Sequence, residues 1–138
     1  SFEITNNFVL SNPSQKIHFA KMIDVNNDGY GDSSNMQPVY DQCVFANNTA
    51  KNRGAALYNN GAQGTCLTTI TNCVIARNHA LVQGGAIFNN AYKGRCETGI
   101  KSSTLYANNA GMHGGAVAEY NLSGTCQTFG GNNLFCEN

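Results

Sequence analysis

The sequence predicts an all-β chain coiled as a small parallel β-helix of about three full 30-residue rungs. Three observations carry that expectation. An apolar-x-x-Asn pattern returns at constant spacing, as Phe45-Ala-Asn-Asn48, Ile75-Ala-Arg-Asn78, Leu105-Tyr-Ala-Asn108 and Phe135-Cys-Glu-Asn138. The same period holds for Ala56-Leu57, Ala86-Ile87 and Ala116-Val117, and for Cys66, Cys96 and Cys126. No segment offers ten residues of helical periodicity free of glycine or Asn-Asn breaks. A fixed unit of short strands without helices buries its apolar face by stacking on copies of itself.

Each repeat holds three segments with strand character. They are Cys43–Ala46, Ala55–Tyr58 and Cys66–Ile70 in the first, Cys73–Ala76, Gly85–Phe88 and Cys96–Ile100 in the second, and Ser103–Tyr106, Gly115–Ala118 and Cys126–Phe129 in the third. A fourth unit opens at Asn133-Leu-Phe-Cys136. Phe45, Ile75, Leu105 and Phe135 should form one inward stack, Leu57, Ile87 and Val117 a second, and Ile70 and Ile100 a third. Asn48, Asn78, Asn108 and Asn138 fall at corners, where a short amide can bond turn backbone, tolerate left-handed dihedrals and bond its stacked copies. Parity turns Ala56, Ala86 and Ala116 outward beside Tyr58, Phe88 and Ala118, giving a weakly polar contact strip for a partner or a second copy.

The motifs Gly84-Gly-Ala-Ile87, Gly114-Gly-Ala-Val117 and Arg53-Gly-Ala-Ala-Leu57, alternating with the Phe45-x-x-Asn48 series, resemble the repeats of the polymorphic outer-membrane protein family over residues 42–138. The resemblance implies a right-handed parallel β-helix used for adhesion or surface display, not catalysis.

Residues 1–41 do not join the repeat cleanly and are expected to form a divergent capping rung, covering strand edges that would otherwise lie open. The whole of 1–138 then reads as a single domain. Within the cap, Asp24-Val-Asn-Asn-Asp-Gly-Tyr-Gly-Asp-Ser-Ser-Asn35 places oxygen donors at loop positions 1, 3, 5 and 9, as Asp24, Asn26, Asp28 and Asp32. Gly29 supplies the sharp turn, the Tyr30 carbonyl position 7, and Asn35 stands where an EF-hand has glutamate. This spacing suits Ca²⁺, and the loop resembles dockerin, thrombospondin or integrin-type Asp-x-Asn-x-Asp-Gly loops more than an EF-hand. A structural Ca²⁺ is expected; the same composition also suits an empty surface turn.

Six cysteines in 138 residues point to an oxidising compartment and a disulfide-stabilised solenoid. Cys43 to Cys66 and Cys73 to Cys96 have identical spacing, and Ser103 replaces the third copy of the leading cysteine. Repeat consistency favours Cys43–Cys66, Cys73–Cys96 and Cys126–Cys136; stacked neighbours such as Cys66 and Cys96 are the competing arrangement.

Lys plus Arg equals Asp plus Glu at 8 each, and only 12% of residues are charged. Without a basic tract, nucleic-acid binding is not expected, and no apolar run reaches a membrane span. Glu97 and Glu119 fall on different strands, so a glycosidase pair is not assembled. His79 and His113 read as solvated turn residues. A Ca²⁺-dependent polysaccharide lyase drawing on Arg77 or Lys101, or a glycoside hydrolase-like enzyme, is the alternative class. An ice-binding face on Thr68, Thr98 and Thr128 is a lesser one. The leading expectation is a secreted or cell-surface module for adhesion, recognition or scaffolding. It would engage an extracellular protein or glycan, or a second copy through an exposed sheet or rung end. Sequons stand at Asn47-Asn-Thr49 and Asn121-Leu-Ser123.

Overall fold

The computed structural model describes residues 2–3, 16–18 and 37–138. β1 (Phe2–Glu3), β2 (Lys16–His18) and β3 (Val39–Asp41) come before the first complete rung. That rung contains β4 (Val44–Ala46), β5 (Thr49–Ala50), β6 (Leu57–Asn60) and β7 (Thr65–Thr71). The second repeats it as β8 (Val74–Ala76), β9 (His79–Ala80), β10 (Ile87–Asn90) and β11 (Arg95–Lys101). The third is β12 (Thr104–Tyr106), β13 (Asn109–Ala110), β14 (Val117–Tyr120) and β15 (Thr125–Gly131), and β16 (Leu134–Cys136) opens a fourth.

Equivalent strands of the rungs pair in parallel with no slip: Leu57 lies beside Ile87 and Ile87 beside Val117, and Ile75 stands between Phe45 and Leu105. The chain is therefore an all-β parallel solenoid of about three turns, as the 30-residue period requires. Each rung carries a fourth, two-residue strand that composition does not advertise. β1 and β2 run antiparallel to β6 and β3, so neither continues the parallel coil.

Three inward stacks fill the interior. Tyr40, Ile70 and Ile100 come from the long sheet, Phe45, Ile75 and Leu105 from the next, and Leu57 with Ile87 from the third. Every one of these side chains is fully buried, and each aliphatic one contributes about 1.5–3 kcal/mol of transfer free energy. Tyr40 meets Phe45 edge-on, with ring centroids 5.4 Å apart. The third member or top of a stack is less covered: Val117 is partly buried and Phe135 exposed.

The corners are held by side-chain ladders. Asn48 donates Nδ2–H to Asn78 Oδ1 at 3.0 Å, Asn78 to Asn108 Oδ1 at 2.9 Å, and Asn108 to Asn138 Oδ1 at 2.9 Å. Each of these oxygens also accepts the backbone N–H of the preceding asparagine. The left-handed residue is not the ladder asparagine but the one before it: Asn47, Arg77, Ala107 and Glu137 all have positive φ. The ladder amide satisfies the turn, and its neighbour takes the strained dihedral.

Two expectations about side-chain direction are overturned. Ala56, Ala86 and Ala116 do not face outward; they belong to the main core. The alternation breaks just before the strand, where Ala56 and Leu57 both donate to Ala86 O, at 2.9 and 3.0 Å. Two successive amides sharing one carbonyl form a bulge-like bend, which resets the parity and buries Ala55 and Ala56 together. Gly54, with φ +62°, enables the bend, since a Cβ there would meet Leu57 O at 2.2 Å. Phe88 is also buried, lying 5.3 Å from the Tyr58 ring and under the Arg53 guanidinium at 4.9 Å. The alanine–aromatic contact strip of Ala56, Tyr58, Ala86, Phe88 and Ala116 therefore does not exist as a surface. The threonine row is likewise internal: Thr68 is 2% and Thr98 0% exposed, which removes it as an ice-binding face.

The disulfide expectation is also corrected. All six cysteines, Cys43, Cys66, Cys73, Cys96, Cys126 and Cys136, are free thiols. The Cys43–Cys66 and Cys73–Cys96 pairings fail on geometry. Cys66 is the second residue of β7 and Cys73 follows its end, and Cys43 stacks on Cys73. Seven residues of extended strand place Cys66 on the order of 20 Å from that corner, far beyond disulfide reach. Cys126 and Cys136 are separated in the same way, by the length of β15 and a change of sheet. The free thiols also withdraw the compositional pointer to an oxidising compartment.

Candidate functional site: the outer face of the long sheet

With the alanine strip buried, the outward positions of the long sheet are the richest chemical surface of the solenoid. In β7 these are Thr65, Leu67, Thr69 and Thr71; in β11 they are Arg95, Glu97, Gly99 and Lys101; in β15, Thr125, Gln127, Phe129 and Gly131. Register aligns them in columns along the solenoid axis. Asp41, Thr71, Lys101 and Gly131 make one column, and Val39, Thr69, Gly99 and Phe129 its neighbour.

Glycine at position 99 shapes this face. The Phe129 ring leans over it, so that a Cβ on Gly99 would lie 3.1 Å from Cε2 and 3.3 Å from Cζ. Phe129 remains 52% exposed, with one side on the sheet and the rest toward solvent. Beside it is a depression of about 380 Å³, bordered by Lys101 and Asn132. A second, of about 590 Å³, adjoins it toward Asp41 and Asn72. Thr69, Thr71 and Lys101 line both, which makes one shallow groove along the axis.

The charges along the groove are unequally engaged. Asp41 accepts hydrogen bonds from Thr71 Oγ1 at 2.7 Å and Asn72 Nδ2 at 3.0 Å. Glu97 accepts Arg95 Nε at 2.8 Å, in the only salt bridge among the described residues. Lys101 thus has no ion-pair partner among them. Glu119 points elsewhere, accepting from Thr128 Oγ1 at 2.6 Å at the end of an internal ladder. Asp41 is the one carboxylate lining the groove among the described residues, which does not supply the acid and base of a glycosidase.

That internal ladder was missed by sequence reasoning. Asn59 donates to Asn89 Oδ1 at 2.9 Å and to Thr98 Oγ1 at 3.1 Å; Thr98 donates to Asn89 Oδ1 at 2.8 Å, and Asn89 donates to Thr128 Oγ1 at 3.0 Å. The signal was present in the shared period of Asn59 and Asn89 with Thr98 and Thr128.

Five of the six cysteines occupy two structural columns, and Cys136, in β16, lies beside Tyr106. Cys43 N–H reaches Cys73 Sγ at 3.4 Å, Cys73 N–H reaches Ser103 Oγ at 3.0 Å, and Ser103 N–H reaches Asn133 Oδ1 at 3.0 Å. Thiol, hydroxyl and amide are thus interchangeable corner acceptors. Burial pushes the Cys73 thiol up to about 12. Cys66 and Cys96 stack with Ala91 in a separate pocket, with Cys126 packed against them. The hydrogen bond with Cys96 draws Cys66 down to about 7, while Cys96, flanked by Cys126 and Cys66, is pushed upward.

Asp24, Asn26, Asp28, Tyr30, Asp32 and Asn35 lie outside the described residues. Among those described, no group of three or more His, Cys, Asp or Glu could hold a metal ion. No described helix is long and apolar enough to cross a membrane. His79 is half-buried in β9 and His113 exposed at a corner, and they do not converge with the groove.

The Chlamydia polymorphic membrane protein repeat matches residues 42–60. That stretch holds the Phe45-x-x-Asn48 corner and the Gly54 bend, so the solenoid is distantly related to that repeat. No curated protein and no solved structure matches the chain.

Proposed function

We propose that this solenoid is a non-catalytic extracellular recognition module, acting as an adhesive or scaffolding element through the outer face of its long sheet. The observation that carries the reading is Phe129, half exposed over Gly99 beside Lys101, which has no ion-pair partner among the described residues. An exposed aromatic beside a cation, on a rigid sheet, is a low-entropy contact surface. Similarity of residues 42–60 to the repeat of Chlamydia polymorphic membrane proteins supports the same reading. The test is saturable binding of the labelled chain to extracellular matrix and cell surfaces. Phe129→Ala combined with Lys101→Gln should weaken it at least about tenfold, whereas Lys51→Gln on a distant exposed corner should not. Equal binding by all three proteins overturns the reading. Release of oligosaccharide products from polysaccharides would replace it with an enzymatic one.

Calcium belongs to the same proposal, as a structural ion in the loop Asp24–Asn35, on the oxygen spacing alone. A calcium-dependent rise in Tm, abolished by Asp28→Ala, is the expected result. A Tm indifferent to calcium and chelator removes the ion from the proposal.

A further inference from the structure

We propose that the groove on the long sheet takes a segment of acidic polysaccharide, with a pyranose ring laid on Phe129 and a uronate carboxylate at Lys101. The inference rests on the recognition reading above and gives that face its ligand class. Three features of the groove lead to it.

The first is the kind of contact that the backbone permits. β7 and β11, which form most of the groove floor, are hydrogen-bonded to a strand on each side; the open ladder edge at this end of the sheet belongs to β15, which carries Phe129. Over β7 and β11 an extended peptide has no free ladder to pair with, and recognition on that floor comes from side chains standing on the sheet.

The second is how the polar side chains are used. The buried asparagine, serine and threonine side chains of the solenoid are consumed by ladders between rungs, as at Asn78, Ser103 and Thr98. Along the groove, Thr69 and Asn132 make no such side-chain bond, and Thr69 and Asn132 are exposed. They face solvent beside an apolar ring. A pyranose has an apolar face of C–H groups and a rim of hydroxyls, and needs this combination: a flat aromatic surface and free hydrogen-bonding groups at its edge.

The third is charge. Among the described residues Lys101, between Thr71 and Gly131 in its column, has no ion-pair partner, whereas the groove's carboxylate, Asp41, is already held by Thr71 and Asn72. The free charge is positive, and it selects an anionic group on the ligand. The groove also runs along the axis across successive rungs at a rise of about 4.8 Å each, which suits a linear polymer over a compact molecule.

The experiment is an NMR titration of the isotope-labelled full chain in calcium-containing buffer. The probes are hexasaccharides from hyaluronan, alginate and polygalacturonate, with a neutral chitin hexasaccharide as control. At least one uronate probe should give saturable shifts centred on Thr69, Gly99, Lys101 and Phe129, and the chitin probe should bind at least about tenfold more weakly. Lys101→Gln should erase that preference, and Phe129→Ala should weaken both types of probe. Lys51→Gln should change nothing, and each variant's spectrum reports its fold directly. Absence of saturable binding by all three uronates, or equal binding of the neutral probe, overturns the inference. So does saturation of the groove by an acidic peptide in place of the glycans. If surface binding still depends on Phe129 and Lys101 while no uronate binds, the glycan inference falls and the recognition face stands; if surface binding ignores both residues, both fall.

Discussion

The side-chain amide of Asn78 and the amide oxygen of Asn108 are joined at 2.9 Å, and that same oxygen accepts the Asn78 backbone N–H at 3.0 Å. Asn78 also donates to Phe45 O at 3.0 Å and accepts from both nitrogens of Asn48. One fully buried side chain thus satisfies groups on three rungs. Asn78→Ala strands these partners away from water and should cost about 3–5 kcal/mol in urea unfolding. Asn78→Asp keeps the acceptor but loses the donor and buries a charge, and should be no better tolerated. A loss below about 1 kcal/mol for either would show that the ladder does not hold the corner.

The left-handed corners predict substitutions of opposite sign. Gly84 has φ +65°, and a Cβ there would sit 2.4 Å from Ile87 O, so Gly84→Ala should lower stability by more than about 2 kcal/mol. Ala107 carries φ 51° with a side chain in place. Ala107→Gly relieves a left-handed strain of about 1–2 kcal/mol and loses part of that to unfolded-state entropy. A gain of about 0.5–1 kcal/mol is expected in the midpoint of chemical denaturation.

The thiols make a prediction about alkali. Cys73 is held up at about 12 against an ordinary value near 9, chiefly by burial, and burial raises the Tyr40 phenol as well. Both groups ionise more readily in the unfolded chain, so unfolding releases protons once pH passes the unfolded values. Their stabilising share is complete below pH 9 and is lost as pH rises toward 12. Tm should therefore fall across that window. Cys73→Ser, which copies Ser103, should fold and show a shallower fall; an unchanged slope would remove Cys73 as a contributor.

Alkylation counts the free thiols directly. Iodoacetamide applied in denaturant without reductant should label all six cysteines by mass. Fewer than six would contradict the free state of the thiols.

The solenoid was legible because its period is written in large apolar residues: Phe45, Ile75 and Leu105 specify register by volume alone. The asparagine ladder was legible for the same reason, as a fixed residue at a fixed interval. What failed was direction. Strand parity sent Ala56 outward, and a bend that resets parity cannot be seen in a run of small residues; Thr68 was placed outward although it shares the parity of the inward Ile70. The cysteines misled because spacing in sequence was taken for proximity, whereas a seven-residue strand separates Cys66 from Cys73. The groove was the least visible feature. It depends on Gly99 leaving room for Phe129 one rung away, a relation between rows that the repeat average conceals.

The one-way chain of amides has a consequence for how such a protein can change length. Asn48 offers a donor to the rung that follows, and Asn108 offers the acceptor that Asn78 now supplies. Excision of 49–78 would bring Asn48 against Asn108 and Phe45 against Leu105, with Cys43 N–H facing Ser103 Oγ as Cys73 N–H does now. Donors again meet acceptors and large side chains again meet large ones. Losing thirty consecutive residues in phase would then be a lesser injury than losing the amide of Asn78, and variation by whole rungs is open to this chain where variation by single residues is closed.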